Sequence, residues 1–168
     1  SIGLLAPASL TSHADQTSDL DALKSKYMVL MDYNSGQVLY KKNATQKMYP
    51  ASTTKIWTAF CVLKKSKNLD ELVEIKDIPQ IEGSSMYLEN GEKFTVRELL
   101  ESLLIHSSND VAYVVAKHFG GGNPQDFINY MNEEAKKFGA SNTHFNNPHG
   151  LPDTDHYTTA MDMAILSR

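Results

Sequence analysis

The sequence is poor in cysteine, with Cys61 alone among 168 residues. No internal disulfide framework is therefore available. Cys61 falls in an apolar helical pattern and is expected to be a small core residue. Basic runs are also lacking. No run of Lys or Arg exceeds two residues, and the net charge is −4. A nucleic-acid partner has little electrostatic support on such a chain. No apolar run approaches the roughly 20 residues of a membrane-spanning helix. Internal repeats and low-complexity segments are absent too. What is present is ordinary globular material: 41% hydrophobic and 21% charged residues, in a length that suits one domain with a sizeable core.

The first fourteen residues differ from the rest. Ile2 to Leu10 is apolar, and no Lys or Arg occurs before Lys24. Ser12-His13-Ala14 places small residues at the −3 and −1 positions of a signal-peptidase site. Residues 1–14 are expected to be the remnant of a secretory signal without its basic start. Residues 15–168 would then be the folded part of a secreted protein. A disordered N-terminal extension is the alternative.

Periodicity places the elements. Tyr27 to Tyr33 and Gln37 to Lys41, separated by Asn34-Ser35-Gly36, read as a β-hairpin. Asp70 to Lys76 and Ser84 to Leu88 read as minor strands or turns. Ser52 to Lys65 carries Ile56, Ala59, Phe60 and Leu63 at helical spacing. Thr95-x-x-Glu98 is a capping box for a helix to about Ile105. Another helix runs from Asp110 to Phe119 and stops at Gly120-Gly121-Gly122. Asn123-Pro124 opens a further helix that is expected to bury Phe127, Ile128, Met131, Ala135 and Phe138 and to end at Gly139. Thr159-x-x-Asp162 starts a last one. One hairpin among many helices implies a nearly all-helical fold, or further strands beyond Arg168, because a lone two-stranded sheet is marginal.

Two short motifs carry possible chemistry. Ser52-Thr53-Thr54-Lys55 stands at a helix start. Residues i and i+3 share a helix face, so the lysine amine reaches the serine hydroxyl. A helix start also favours a developing oxyanion. Lys55 serves as a base only if burial or a neighbouring positive charge lowers its pKa. Alone the motif is weak, since Ser-x-x-Lys arises by chance about once in a chain of this size. On this motif alone, an N-capping serine beside a solvated lysine is the better reading. Ser107-Ser108-Asn109 joins two helices, where it either faces a cleft or merely caps the next helix. Ser66-Lys67-Asn68 fits the same Ser-x-Asn pattern, but it ends a helix and is expected to be an exposed turn. His144, His149, Asp153, Asp155 and His156 crowd one stretch. Their spacing matches no zinc pattern, and a polar loop beneath the cleft is the better reading.

Taken together, a helix-start Ser-x-x-Lys followed 55 residues later by Ser-x-Asn resembles the serine penicillin-recognising enzymes. Several longer segments are similar to the low-molecular-mass D-alanyl-D-alanine carboxypeptidases among them. These are Met28 to Asp32 with Asn34-Ser35-Gly36, Tyr49 to Lys55, Gly83 to Leu88, Leu103 to Asp110, Asn147 to Leu151 and Ala160 to Ala164. The resemblance runs from about Tyr27 to the last residue. It departs at Ser108, where the family usually has Gly. It also lacks the family's third motif, Lys-Thr-Gly on a strand, which lies farther downstream in the family; a fragment is expected, inactive on its own for want of that motif.

The resemblance implies an α+β fold of the penicillin-binding transpeptidase type, in which an antiparallel sheet is flanked by helices. This chain would supply the hairpin and most of the helical region, without the later sheet strands. It implies Ser52 as nucleophile, Lys55 as base, Ser107 as proton relay and Asn109 as the amide that holds substrate and helps orient Lys55. The implied substrate is a peptidoglycan stem peptide ending in D-Ala-D-Ala, with β-lactams as mimics that acylate Ser52. No metal or organic cofactor is implied. Cell-envelope localisation, with peripheral membrane attachment through a later C-terminal segment, would follow the family. Alternatives are a serine β-lactamase-like enzyme and a non-catalytic or inactive fragment on the same scaffold. The β-lactamases add a glutamate to activate water, and Ala140 to Thr159 contains none.

Overall fold

The computed structural model describes residues 19–168, so the expected signal remnant at 1–14 lies outside the described residues. The core forms around one helix, α1 (Thr54–Lys65), entered through a 3-10 turn at Ala51–Thr53. Trp57, Ala59, Cys61 and Val62 are buried on it. The helix α1 packs against α3 (Asn109–Phe119) and α4 (Pro124–Lys137). Trp57 anchors the contact: its indole N–H donates to the Met131 carbonyl at 3.0 Å, which satisfies the one polar atom of a buried ring. Cys61 is fully buried, as expected, and burial pushes its thiol up to about 12.

The expected caps are in place. Thr95 and Glu98 form the reciprocal capping box that opens α2 (Val96–Glu101), and the Asn123 side chain accepts from Gln125 N at the start of α4. Thr159 caps α5 (Ala160–Ser167) through Asp162 N. Beyond Glu101 the chain widens into one π-helical turn, Ser102–His106, rather than continuing as regular α-helix to Ile105.

The hairpin is β1 (Met28–Met31) paired antiparallel with β2 (Val38–Lys42), its register broken between Leu30 and Met31. The Asp32 carboxylate accepts from both Ser35 N and Ser35 Oγ and closes the turn. Helix α5 packs on β1. A second small sheet joins β3 (Leu72–Glu74) to β4 (Lys93–Thr95). Of the two segments read as minor strands or turns, Asp70 to Lys76 contains β3. Ser84 to Leu88 is an irregular loop, and the partner of β3 is β4, whose three residues are too short to carry a periodic signal. Phe138 is 46% exposed rather than buried, because it lies past the end of α4 and packs edge-on against the rims of Trp57 and Phe60. The architecture is α+β, and among the described residues no helix is long and apolar enough to cross a membrane.

Candidate active site

Ser52 sits in the middle of the 3-10 turn and is exposed, one turn before the buried start of α1. Ala51, just before it, holds a positive φ of 49°. A non-glycine residue in that region is strained, and such strain collects at functional sites. The Lys55 amine reaches back to Ser52 Oγ at 3.1 Å, as i,i+3 spacing requires. Its second partner is the His149 carbonyl at 2.7 Å. Lys55 is only 2% exposed, and burial lowers its pKa to about 8. Of the two routes open to the sequence, burial is thus the one in operation. A solvated lysine beside a capping serine does not describe this pair, and Ser52 makes no side-chain cap to its own helix.

The carbonyl that holds Lys55 belongs to a turn built by Asn147. Its side-chain oxygen accepts from His149 N and Gly150 N, and its amide donates to the Leu151 carbonyl. Thr58 of α1 donates to the Pro148 carbonyl at 2.7 Å. Gly150 has φ +91°, and a Cβ there would stand 1.9 Å from the Ala51 carbonyl oxygen. The turn is therefore pressed against the backbone that carries Ser52. Burial and the neighbouring Lys55 lower the His149 pKa to about 4, so its ring is neutral near pH 7.

The loop between the π turn and α3 carries the second motif. Ser107 is half-buried with φ 56°, a left-handed residue between the wide turn and the helix. Ser108 is buried and shares a 2.9 Å hydrogen bond with Ser102. Asn109 is also buried. Its amide donates to the Glu82 carbonyl at 2.6 Å, and its backbone N–H to Ser84 O at 2.7 Å. One Asn109 amide N–H goes to Glu82, while the two hydrogen bonds of the Lys55 amine go to Ser52 and to the His149 carbonyl. Packing of α1 against the π turn and α3 brings both motifs to one region.

Asp110 is a residue that motif reading passes over. Its carboxylate accepts from Ser85 Oγ, Met86 N and Leu88 N at 2.7 to 3.2 Å, which clamps the 82–88 loop beside Asn109. Those hydrogen bonds outweigh burial and hold its carboxyl below the usual range. An acidic residue in the first turn of a helix was the available signal, but it cannot reveal a loop that is distant in sequence.

The histidine-rich stretch is engaged internally. His144 Nδ1 meets the Asp155 carbonyl, and both nitrogens of His156 have protein partners. Ser66-Lys67-Asn68 is a turn at the end of α1, as expected.

The chain is similar to known proteins in sequence and in fold. Residues 12–168 match the D-alanyl-D-alanine carboxypeptidase family. The D-alanyl-D-alanine carboxypeptidase DacF of Bacillus subtilis is 38% identical over 158 residues, covering 91% of this chain and 40% of DacF. DacC of Escherichia coli is 38% identical over 176 positions, covering 98% of this chain and 43% of DacC. Among solved structures, the D-alanyl-D-alanine carboxypeptidase DacD of Francisella tularensis superposes with a TM-score of 0.81 at 39% identity, over 86% of this chain and 36% of that one. A point mutant of the Streptomyces K15 DD-transpeptidase gives a TM-score of 0.79 at 33% identity, over 84% of this chain and 59% of that one. The chain thus spans about two fifths of the length of DacF and DacC. With the family match running over nearly all of its length, the chain belongs to the D-alanyl-D-alanine carboxypeptidase family.

Proposed function

We propose that this chain carries the nucleophile half of a serine D-Ala-D-Ala carboxypeptidase of the bacterial cell envelope. The observation that carries the reading is the Lys55 amine, buried and 3.1 Å from Ser52 Oγ, with a pKa lowered to about 8. A base with a pKa near the working pH is well suited to proton transfer.

In its neutral form Lys55 takes the Ser52 proton as Oγ attacks the carbonyl of the penultimate D-Ala. The oxyanion collapses, the peptide C–N bond breaks, and Ser107 relays a proton to the departing D-Ala amine. The product is an ester on Ser52. Water then attacks that ester, releases the shortened stem peptide and returns the proton to Ser52. The His149 carbonyl keeps one amine N–H engaged throughout, so the Lys55 lone pair stays aimed at Oγ. In this reading Asn109 holds the substrate backbone through its side-chain amide. Penicillins enter as mimics and leave a stable ester on the same oxygen. This sequence of steps needs no cofactor. The absence of a glutamate from Ala140 to Thr159 favours this reading over a β-lactamase.

The test is release of D-alanine from an N-acylated D-Ala-D-Ala peptide by the whole protein. Ser52→Ala is expected to abolish release with an unchanged melt. Release that persists in that variant would refute the reading.

A further inference from the structure

His156 is 1% exposed and 102 residues from Thr54, yet the two side chains meet at 2.9 Å. The other ring nitrogen, Nδ1, accepts from Asn146 N at 2.9 Å. A backbone N–H only donates, so Nδ1 is unprotonated and the ring proton sits on Nε2, aimed at Thr54 Oγ1. One neutral imidazole therefore bridges two segments. Thr54 is the first residue of α1 and immediately precedes Lys55. Asn146 begins the turn whose His149 carbonyl receives the Lys55 amine.

We infer that His156 is a positioning residue for Lys55, fixing the helix start that bears the lysine to the turn that holds its amine. The inference rests on the proposed role of Lys55 as base. Other tethers also hold the turn: Thr58 of α1 donates to Pro148, and Asn132 of α4 pairs with both backbone groups of Phe145. Those keep the turn folded on the core, while His156 fixes its register against the first turn of α1. A shift of about 1 Å between such halves is enough to cost ~10²-fold in rate. The neutral state is enforced by the surroundings. Burial is the main cause, and His144 works in the same direction against the opposing charge of Asp153. Lys55 and His156 both act on His149 in the direction that keeps its ring neutral, and Phe145 covers the His156 ring edge-on at 5.8 Å. No cation is welcome there.

The test uses the whole protein as wild type, His156→Gln, His156→Leu and Thr54→Val. Two quantities are read: the pH profile of acylation by a fluorescent penicillin, and the titration of the Lys55 amine by competitive acetylation with mass spectrometry. Glutamine keeps one donor and one acceptor; leucine keeps neither. His156→Leu is expected to slow acylation about 10- to 100-fold while reversible penicillin binding changes less than about threefold. It also moves the Lys55 titration upward by about one pH unit, as water enters the loosened cradle. His156→Gln restores both to near wild type, and Thr54→Val, which removes only the helix end of the bridge, moves the titration the same way by less. An unmoved Lys55 titration in folded His156→Leu or Thr54→Val overturns the inference. Rate loss that only tracks the unfolded fraction overturns it as well. A wild-type protein that penicillin does not acylate refutes the proposed function instead, and the acetylation readout still decides the role of His156.

Discussion

Lys55 is the residue on which the chemistry turns, and its burial has a cost as well as a use. Its pKa is about 8 in the fold against the ordinary value of 10.5. Below pH 8 the amine is protonated in both folded and unfolded states, so the full penalty of burying the charge applies. The penalty fades as pH rises from 8 toward 10.5, where only the unfolded chain still binds the proton. Acylation of Ser52 is accordingly expected to speed up as pH climbs through about 8. Arginine at this position remains charged at any such pH. Lys55→Arg should therefore lose about 10²–10⁴-fold in acylation, the usual contribution of a positioned base. Lys55→Met should lose as much, yet melt no lower than wild type at pH 7, because it removes a buried charge. Stopped-flow acylation and thermal melts check both. An arginine variant that acylates near the wild-type rate would mean that Lys55 supplies only charge.

At the scale of elements, the Asn147 to Leu151 turn matters as much as helix α1. The turn delivers a backbone carbonyl to the lysine and presses on the serine segment from behind. Gly150 makes the approach possible. Gly150→Ala would put a methyl carbon 1.9 Å from the Ala51 oxygen at a φ of +91°. The expected outcome is a loss of about 2–4 kcal/mol, combining steric overlap with left-handed strain, and at least a tenfold slower acylation. Gly121→Ala is the control: its φ is +68° but no atom lies within 4 Å, so only about 1 kcal/mol should be lost, with acylation unchanged. Denaturant melts of the two variants measure the difference. Equal losses would show that the close approach at Gly150 carries no load.

At the scale of the whole molecule, what the sequence makes legible is what is local. The Thr95–Glu98 box, the Asn123-Pro124 start and the Thr159 cap are hydrogen bonds closed within a few residues, so their patterns can be read directly. The Ser52–Lys55 contact is of the same kind, one helical step apart. The Asp110 clamp, the β3–β4 pairing and the His149 carbonyl are legible only in space. The last is a backbone atom 94 residues from Lys55, and no side-chain identity marks it. Burial of Lys55 is also a collective property of α1, α3 and the turn, so the sequence left burial and a neighbouring charge as equal routes to a lowered pKa. The hairpin shows the same limit from outside. Among the described residues β1 and β2 pair only with each other, and Leu30 and Leu39 stay about half exposed.

The central claim is that a buried, neutral-prone lysine makes Ser52 the nucleophile. Peptide mapping of the whole protein after reaction with penicillin tests it most directly. A single adduct is expected on the peptide containing Ser52, absent in Ser52→Ala. An adduct on Ser107, or on any residue other than Ser52, would contradict it.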